Sequence, residues 1–408
     1  MNKERLLNTF LDLVKIYSPS KNEINVMKYI TEKLEKLGVK YILHDHSAEY
    51  GGNTPVIIAK LEKNCDDEKL NPISLSAHMD VVEPSKDLDV YVEDGLVKTR
   101  TKTTLGGDDK GGVAIILETF ENLVENNLPH NDVFAVITPS EEIGLLGAKS
   151  IKWEEIPSEF MPAKDMLVLD NGGGSDLVAV EGPCMYKINV HYEGASAHAG
   201  IEPEKGRSAI IAMSSAISKM KIGRLNDHTT SNIGSIVSEF PTNVVPKDCK
   251  IRMEVRCLNE DEAKENVDNY IDIFEKMAKD FEVKCNIEVK YDYPPLKQID
   301  GNVLLNRVLD AYKKVGITAK PIKIGGGCDG NIYLKNGFHS VILGVGMYKI
   351  HTIEEYLVIS DMEKTAEAVM EFINSFCSRR YNYFANQRWP PRACGAVRRG
   401  AHINTVSG

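Results

Sequence analysis

Four near-continuous apolar runs mark the first part of the chain: TPVIIAKL, PISLSAHMDVV, DVFAVITPS and DMLVLDNGG. Runs this rich in apolar residues suit strands buried on both faces. Between two of them, KGGVAIILETFENLVENN carries apolar residues at helical spacing. Strands separated by helices predict an α/β domain built on a mainly parallel sheet. The opening stretch, MNKERLLNTFLDLVKIYS, interleaves charges with leucines. It predicts an amphipathic helix rather than the unbroken apolar segment of a secretion signal.

From about Glu181 the pattern changes. MYKINVHYEG alternates like a half-exposed strand and is followed by a helical pattern in RSAIIAMSSAISKM. TSNIGSIVSEF, KIRMEVRCL, the charged helix EDEAKENVDNYIDIFEKMAKDF and CNIEVKYDY complete the order β-α-β-β-α-β. That order belongs to a ferredoxin-like unit. After PPLKQ the first style resumes, with a helix at NVLLNRVLDAYKKVG, a strand at HSVILGVG and a closing helix at MEKTAEAVMEFINSF. The expected organisation is a discontinuous domain over 1–180 and 293–376, with a smaller domain over 181–292 inserted into it.

Composition narrows the function. A formal charge of −10 argues against a nucleic-acid partner, which normally needs a basic face. No apolar run approaches the ~18 residues of a membrane span. The eight cysteines form no CxxC pair, and reduced thiols in a cytoplasm are the simpler expectation. The segment 377–408 stands apart, with six arginines and no Asp, Glu or Lys. It is set aside as a non-native or disordered tail.

The candidate chemistry sits at the ends of the apolar runs. His78 and Asp80 close PISLSAHMD, Glu141 and Glu142 follow DVFAVITPS, and Asp170 closes DMLVLD. His351 follows HSVILGVGMYKI, and Asp108 lies in the turn GGDDKGG just before a helix. Open α/β sheets bind ligands beyond the carboxyl ends of their strands, so one sheet would gather these residues at one edge. Two imidazoles and three carboxylates, one of them bridging, could hold two divalent cations. Asp80 could bond the second nitrogen of His78 and fix its tautomer. Oxygen and nitrogen donors suit zinc, cobalt or manganese. Taken alone, each fragment has an ordinary structural explanation: a core histidine with a capping acid, or a surface turn opening a helix. Their joint recurrence at successive strand ends does not.

GGDDKGGVA, PSEEIGLLGAK, GASAHAGIEPEKGRSAI, GGGCDGN and IHTIEEYL, in this order, resemble the dinuclear-zinc peptidase family that includes peptidase T, aminoacylase and the glutamate carboxypeptidases. The similarity is strongest to the peptidase T-like branch and extends to about Phe376. The resemblance implies that Asp108 bridges two zinc ions, with His78 and Asp170 completing one site and Glu142 and His351 the other. Glu141 would be the general base, and the Asp108–Asp109 bond would be cis. Asp at position 170 is associated with aminopeptidase or dipeptidase action. In the inserted domain, His198 matches a histidine that stabilises the oxyanion, reaching the partner subunit's site in dimeric members, which makes a homodimer through this domain an expectation. Asn243 and Arg256 match substrate contacts. The turn from Gly325 to Gly330 matches a substrate-binding loop, implicating Gly326, Gly327 and Asp329. It carries Cys328 where Ser or Thr is more usual.

The reaction implied is cleavage of short peptides, as a tripeptidase or aminopeptidase. An N-acyl-amino-acid or other small-amide hydrolase would use the same site. A non-catalytic scaffold is disfavoured, because all five ligand candidates and Glu141 are present.

Overall fold

A computed structural model describes residues 1–66, 70–298, 301 and 303–374; the arginine-rich segment lies outside them. The larger unit is built on an eight-stranded sheet. Its spatial order is Lys40–His44, Val56–Leu61, Val133–Thr138, Ile73–His78, Asp165–Asn171, His339–Gly344, Leu177–Glu181 and Lys320–Lys323. The central strands run parallel, in registers such as His78↔Thr138, Ser76↔Val168 and Val168↔Ile342. The flanks are mixed. Lys40–His44 and Val56–Leu61 add antiparallel, and Leu177–Glu181 is antiparallel to His339–Gly344. The α/β class holds, with a mixed and mainly parallel sheet.

Every residue of Ile73–His78 and Val133–Thr138 is buried; the second is almost wholly apolar, and in the first the buried Ser74 and Ser76 hydroxyls are hydrogen-bonded, to the Ala163 carbonyl and the Tyr333 hydroxyl. One face is covered by the helices Lys3–Lys15, Ile24–Leu37, Gly107–Glu125, Val303–Lys314 and Ile359–Asn374. The opposite face packs against Trp153, Phe160, Tyr333 and Phe338. Gly107–Glu125 is the central helix, buried at nearly every position from Gly107 to Leu123. Its closeness to the Asp170 strand requires glycine: a Cβ on Gly112 would lie 2.3 Å from the Leu169 carbonyl oxygen.

The strands of the second unit lie between Cys184 and Tyr293, in the order Gly223–Arg224, Thr229–Val237, Asp248–Cys257, Cys184–Glu193, Lys284–Tyr293, all antiparallel. Apart from the short first strand this is the ferredoxin-like β-α-β-β-α-β arrangement. The helices Ala209–Lys219 and Glu260–Asp280 cover one face around Tyr192, Tyr270 and Phe274. Glu260–Asp280 begins where the Asn259 side chain accepts the Glu262 N–H, with acids Glu260, Asp261 and Glu262 in its first turn. A third, four-stranded antiparallel sheet joins Val90–Glu93 and Leu96–Thr99 to Met347–Tyr348 and Tyr356–Val358. It fixes the segment that carries His351.

Candidate active site

The parallel register aligns the carboxyl ends of the three central strands, so His78, Asp170 and the Glu141–Glu142 turn meet at one rim. Asp108 enters from the start of the central helix, and His351 from a turn beyond Met347–Tyr348 rather than from the main sheet. His78 is buried, with its Nε2 3.1 Å from Asp108 Oδ1 and 3.5 Å from Asp170 Oδ1. The second oxygen of Asp108 faces the other imidazole, 3.1 Å from His351 Nε2. That nitrogen also lies 3.0 Å from Glu142 Oε1. One carboxylate thus stands between two imidazoles, each flanked by a further acid.

Asp80 joins the two halves of this arrangement. Its Oδ1 is 3.3 Å from His78 Nδ1, and its backbone oxygen is 3.1 Å from the same nitrogen. Its carboxylate also accepts the Glu141 N–H at 2.9 Å, the Glu142 N–H at 3.2 Å and the Ser20 hydroxyl at 2.6 Å. The preceding residue, Ser140, has a left-handed backbone (φ 56). Buried Glu23 steadies it by accepting both its N–H and its hydroxyl. These bonds orient the turn from which Glu141 projects.

The electrostatics are those of crowded acids. Burial pushes Asp170 up to about 7 and Glu141 well above the usual carboxylate range. Burial works against charging His78, but Asp170, Asp108 and Asp80 hold its pKa well above the ordinary value. His351 is raised to about 10 by its bonds to Asp108 and Glu142. Among the described residues no lysine or arginine forms an ion pair with Asp108, Glu141, Glu142 or Asp170. So many inward-facing oxygens without a cationic side chain suit bound divalent cations. Ligand atoms of His78, Asp108 and Glu142 lie within 4.8 Å of one another, as do those of His78, Asp109 and Asp170. Of the two adjacent aspartates, Asp108 fits the bridging place better. Both oxygens of Asp109 accept backbone N–H groups, from Gly112 at 3.0 Å and His78 at 3.3 Å. The bond between the two aspartates is cis.

A cavity of about 920 Å³ opens onto this rim. Asp108, Glu141, Glu142, Asp170 and His351 line it on one side, and Arg256, Gly326, Gly327 and Cys328 on another. Gly327 is needed for its backbone position, since a Cβ there would meet the Tyr293 ring at 2.4 Å. The Arg256 fork is already engaged by Glu254, at 2.8 and 3.2 Å, a pairing the sequence motifs gave no sign of. Asp329, expected to contact substrate, is 2 % exposed and does not line the cavity. It bonds the Thr138 hydroxyl at the start of the helix Asp329–Lys335. Its side chain is thus turned away from the cavity.

His198 and Asn243 are both exposed and absent from the cavity wall. They are neighbours in the inserted unit, where the Ala199 N–H donates to the Asn243 carbonyl at 2.9 Å. A third group of potential ligands, His44, His46 and Glu155, lies away from the cavity and runs from buried His44 to exposed Glu155. Existing hydrogen bonds account for it: His46 pairs with Glu49 and Glu155, and His44 Nε2 accepts the Lys152 N–H.

An α/β core covered on both faces of its sheet, with a ferredoxin-like unit inserted and a rim where histidines and acids converge without a lysine or arginine partner among the described residues, is the architecture of a metallohydrolase. Residues 74–375 match the model of the peptidase family M20/M25/M40, and the chain belongs to that family. It is 35 % identical over 373 residues to the uncharacterized protein YqjE of Bacillus subtilis, covering 91 % of this chain and 98 % of that one. Its fold is similar to that of aminopeptidase PepT from Bacillus cereus (TM-score 0.83, 35 % identity). It is likewise similar to a tripeptidase from Staphylococcus aureus (TM-score 0.85, 33 % identity). Both alignments cover 91 % of this chain and 98 % of the other.

Proposed function

We propose that this protein hydrolyses amide bonds of short peptides, as a tripeptidase or aminopeptidase, with two divalent cations seated around Asp108. The observation that carries the reading is the divided carboxylate, whose two oxygens face His78 and His351 at 3.1 Å each. His78, Asp108 and Asp170 would hold one cation, and Asp108, Glu142 and His351 the other. Zinc fits these donors, as do cobalt and manganese. When bound, such a pair supplies Lewis acidity to the scissile carbonyl and to the attacking water.

The rest of the work falls to the chain. Glu141 faces the cavity with no lysine or arginine ion pair among the described residues, and its backbone N–H is held by Asp80. It takes the proton of the attacking water and returns it to the leaving amine. Asp80 keeps His78 oriented through Nδ1, which leaves Nε2 for the site. Arg256 and the backbone of Gly326 and Gly327 bind the peptide on the opposite wall. His198, with Asn243 beside it, supplies a donor to the oxyanion when the inserted unit closes or when a second copy of the chain presents it.

Two lines of support favour peptides over other amides: the likeness to an aminopeptidase and a tripeptidase at 33–35 % identity, and Asp rather than Glu at position 170. The test compares Glu141→Ala with the unaltered protein on free-amine tripeptides, dipeptides and N-acetylated amino acids, with cation content measured in parallel. The expected result is tripeptide cleavage that falls by about 10²- to 10⁴-fold in kcat while both cations are retained. Preferential cleavage of the N-acetylated compounds would reject the peptide assignment, and undiminished turnover in Glu141→Ala would reject the base.

A further inference from the structure

Glu355 lies four residues beyond His351, is 4 % exposed and takes no part in the reaction described above. Its carboxylate faces the loop that leads into the central helix. Oε2 accepts the N–H of Leu105 at 2.8 Å and of Gly106 at 3.0 Å, and Oε1 accepts the N–H of Asp108 at 3.1 Å. Among the described residues it has no ion pair, so backbone amides are what keep this buried acid in place.

The loop needs such an acceptor. The first amides of a helix lack carbonyl partners four residues back. Here the usual remedy, a capping side chain, is missing, because the cap position is Gly106 in the left-handed region (φ 74). Asp108 and Asp109 are also non-helical inside the first turn. Without an outside acceptor, the amides around Asp108 would be buried and unbonded, and the side chain of Asp108 would have no fixed direction.

We propose that Glu355 is a positioning residue that locks the Leu105–Asp108 backbone so that Asp108 directs one oxygen to each imidazole. It touches neither cation nor peptide. One short segment, from His351 to Glu355, thereby delivers a candidate ligand and also fixes the carboxylate that ligand must meet. The inference rests on the two-cation reading of the site.

Glutamine at position 355 would keep one acceptor oxygen and turn an NH₂ group toward backbone N–H groups, breaking the clamp with little change in volume. Glu118→Gln is the control. Glu118 is also buried and accepts a backbone N–H, from Asn2 at 2.7 Å, but lies outside the cavity. Zinc affinity is measured by competition with a chromogenic chelator, alongside Tm with and without zinc.

Glu355→Gln is expected to weaken zinc binding by about 10- to 100-fold and to shrink the zinc-induced rise in Tm. Glu118→Gln should lower both Tm values together and leave the affinity alone. Wild-type zinc affinity in Glu355→Gln would overturn the proposal, however far its Tm falls. If that variant does not fold, Gly107→Ala carries the same expectation and the same refutation, because its Cβ would sit 3.0 Å from Glu355 Oε1. Absence of zinc binding by the unaltered protein would instead overturn the cation reading itself, and that control distinguishes the two failures.

Discussion

The rim of the large sheet and the loops of the inserted unit both carry residues implicated in catalysis, yet the chain treats them in opposite ways. At the rim, His78, Asp108, Glu141 and Asp170 are held within a few ångströms by parallel register, by Asp80 and by Glu355. In the inserted unit, His198 and Asn243 stand exposed, tied to each other through the backbone and to nothing in the cavity. The difference teaches that binding the cations and finishing the active site are separable tasks. On the proposed reading the first falls to a sheet edge together with Asp108 from the central helix and His351 from the third sheet, where donors must stay in place against mutual repulsion. The second is left to a unit whose own core, around Tyr192, Tyr270 and Phe274, is independent of that edge.

The strongest way to break this comparison is Asp108→Asn. It replaces the shared carboxylate, and the expected outcome is loss of both high-affinity cations together with loss of activity, read by metal analysis of the dialysed protein. His198→Ala should show the reverse pattern. We expect kcat to fall by about 10²- to 10³-fold with cation content unchanged, as for removal of an oxyanion donor. A change in cation affinity in that variant would erase the distinction between the two regions. Asp80→Ala tests the brace within the rim, and a 10- to 100-fold weaker cation affinity is expected by titration.

Two stability measurements sharpen the picture further. Phe274→Ala, in the core of the inserted unit, should cost about 3–5 kcal/mol in denaturant unfolding while leaving cation affinity intact. The second concerns pH. In the cation-free protein, burial raises Asp170 to about 7, and neighbouring acids raise His351 to about 10. Groups with raised folded-state pKa values bind more protons folded than unfolded, so the stability they contribute is lost as pH rises through those values. The Tm of the cation-free protein should therefore decline as pH rises from about 4 to about 10, first as Asp170 ionises between its ordinary value and about 7, then as His351 loses its proton between its ordinary value and about 10. The loaded protein should decline less, because its acids are then paired with positive charge.

Much of this arrangement was legible in the residues themselves. Acids and histidines closing successive apolar runs imply a shared rim, since parallel strands buried on both faces have only their ends free for chemistry. The inserted unit was legible for a similar reason, as the alternation in MYKINVHYEG differs in kind from the unbroken VFAVI of the large sheet. What stayed hidden is what leaves no periodic trace. The antiparallel flanks of the large sheet read like its parallel centre, because direction does not alter hydrophobic pattern. Helix Ile24–Leu37 and the sheet that holds the His351 segment were likewise not foreseen. Glu355 works through backbone amides, so no partner side chain announces it. The pairing of Arg256 with Glu254 joins residues two apart on one strand, which share a face of the sheet. Asp329 is the converse case: a motif position in a glycine-rich loop whose side chain turns inward, to Thr138.

The most direct test is a crystal structure of the zinc-loaded protein with anomalous data at the zinc edge. Two peaks are expected on either side of Asp108, one also in contact with His78 and Asp170, the other with Glu142 and His351. Zinc bound elsewhere, or a single ion that leaves either oxygen of Asp108 unused, would contradict the account.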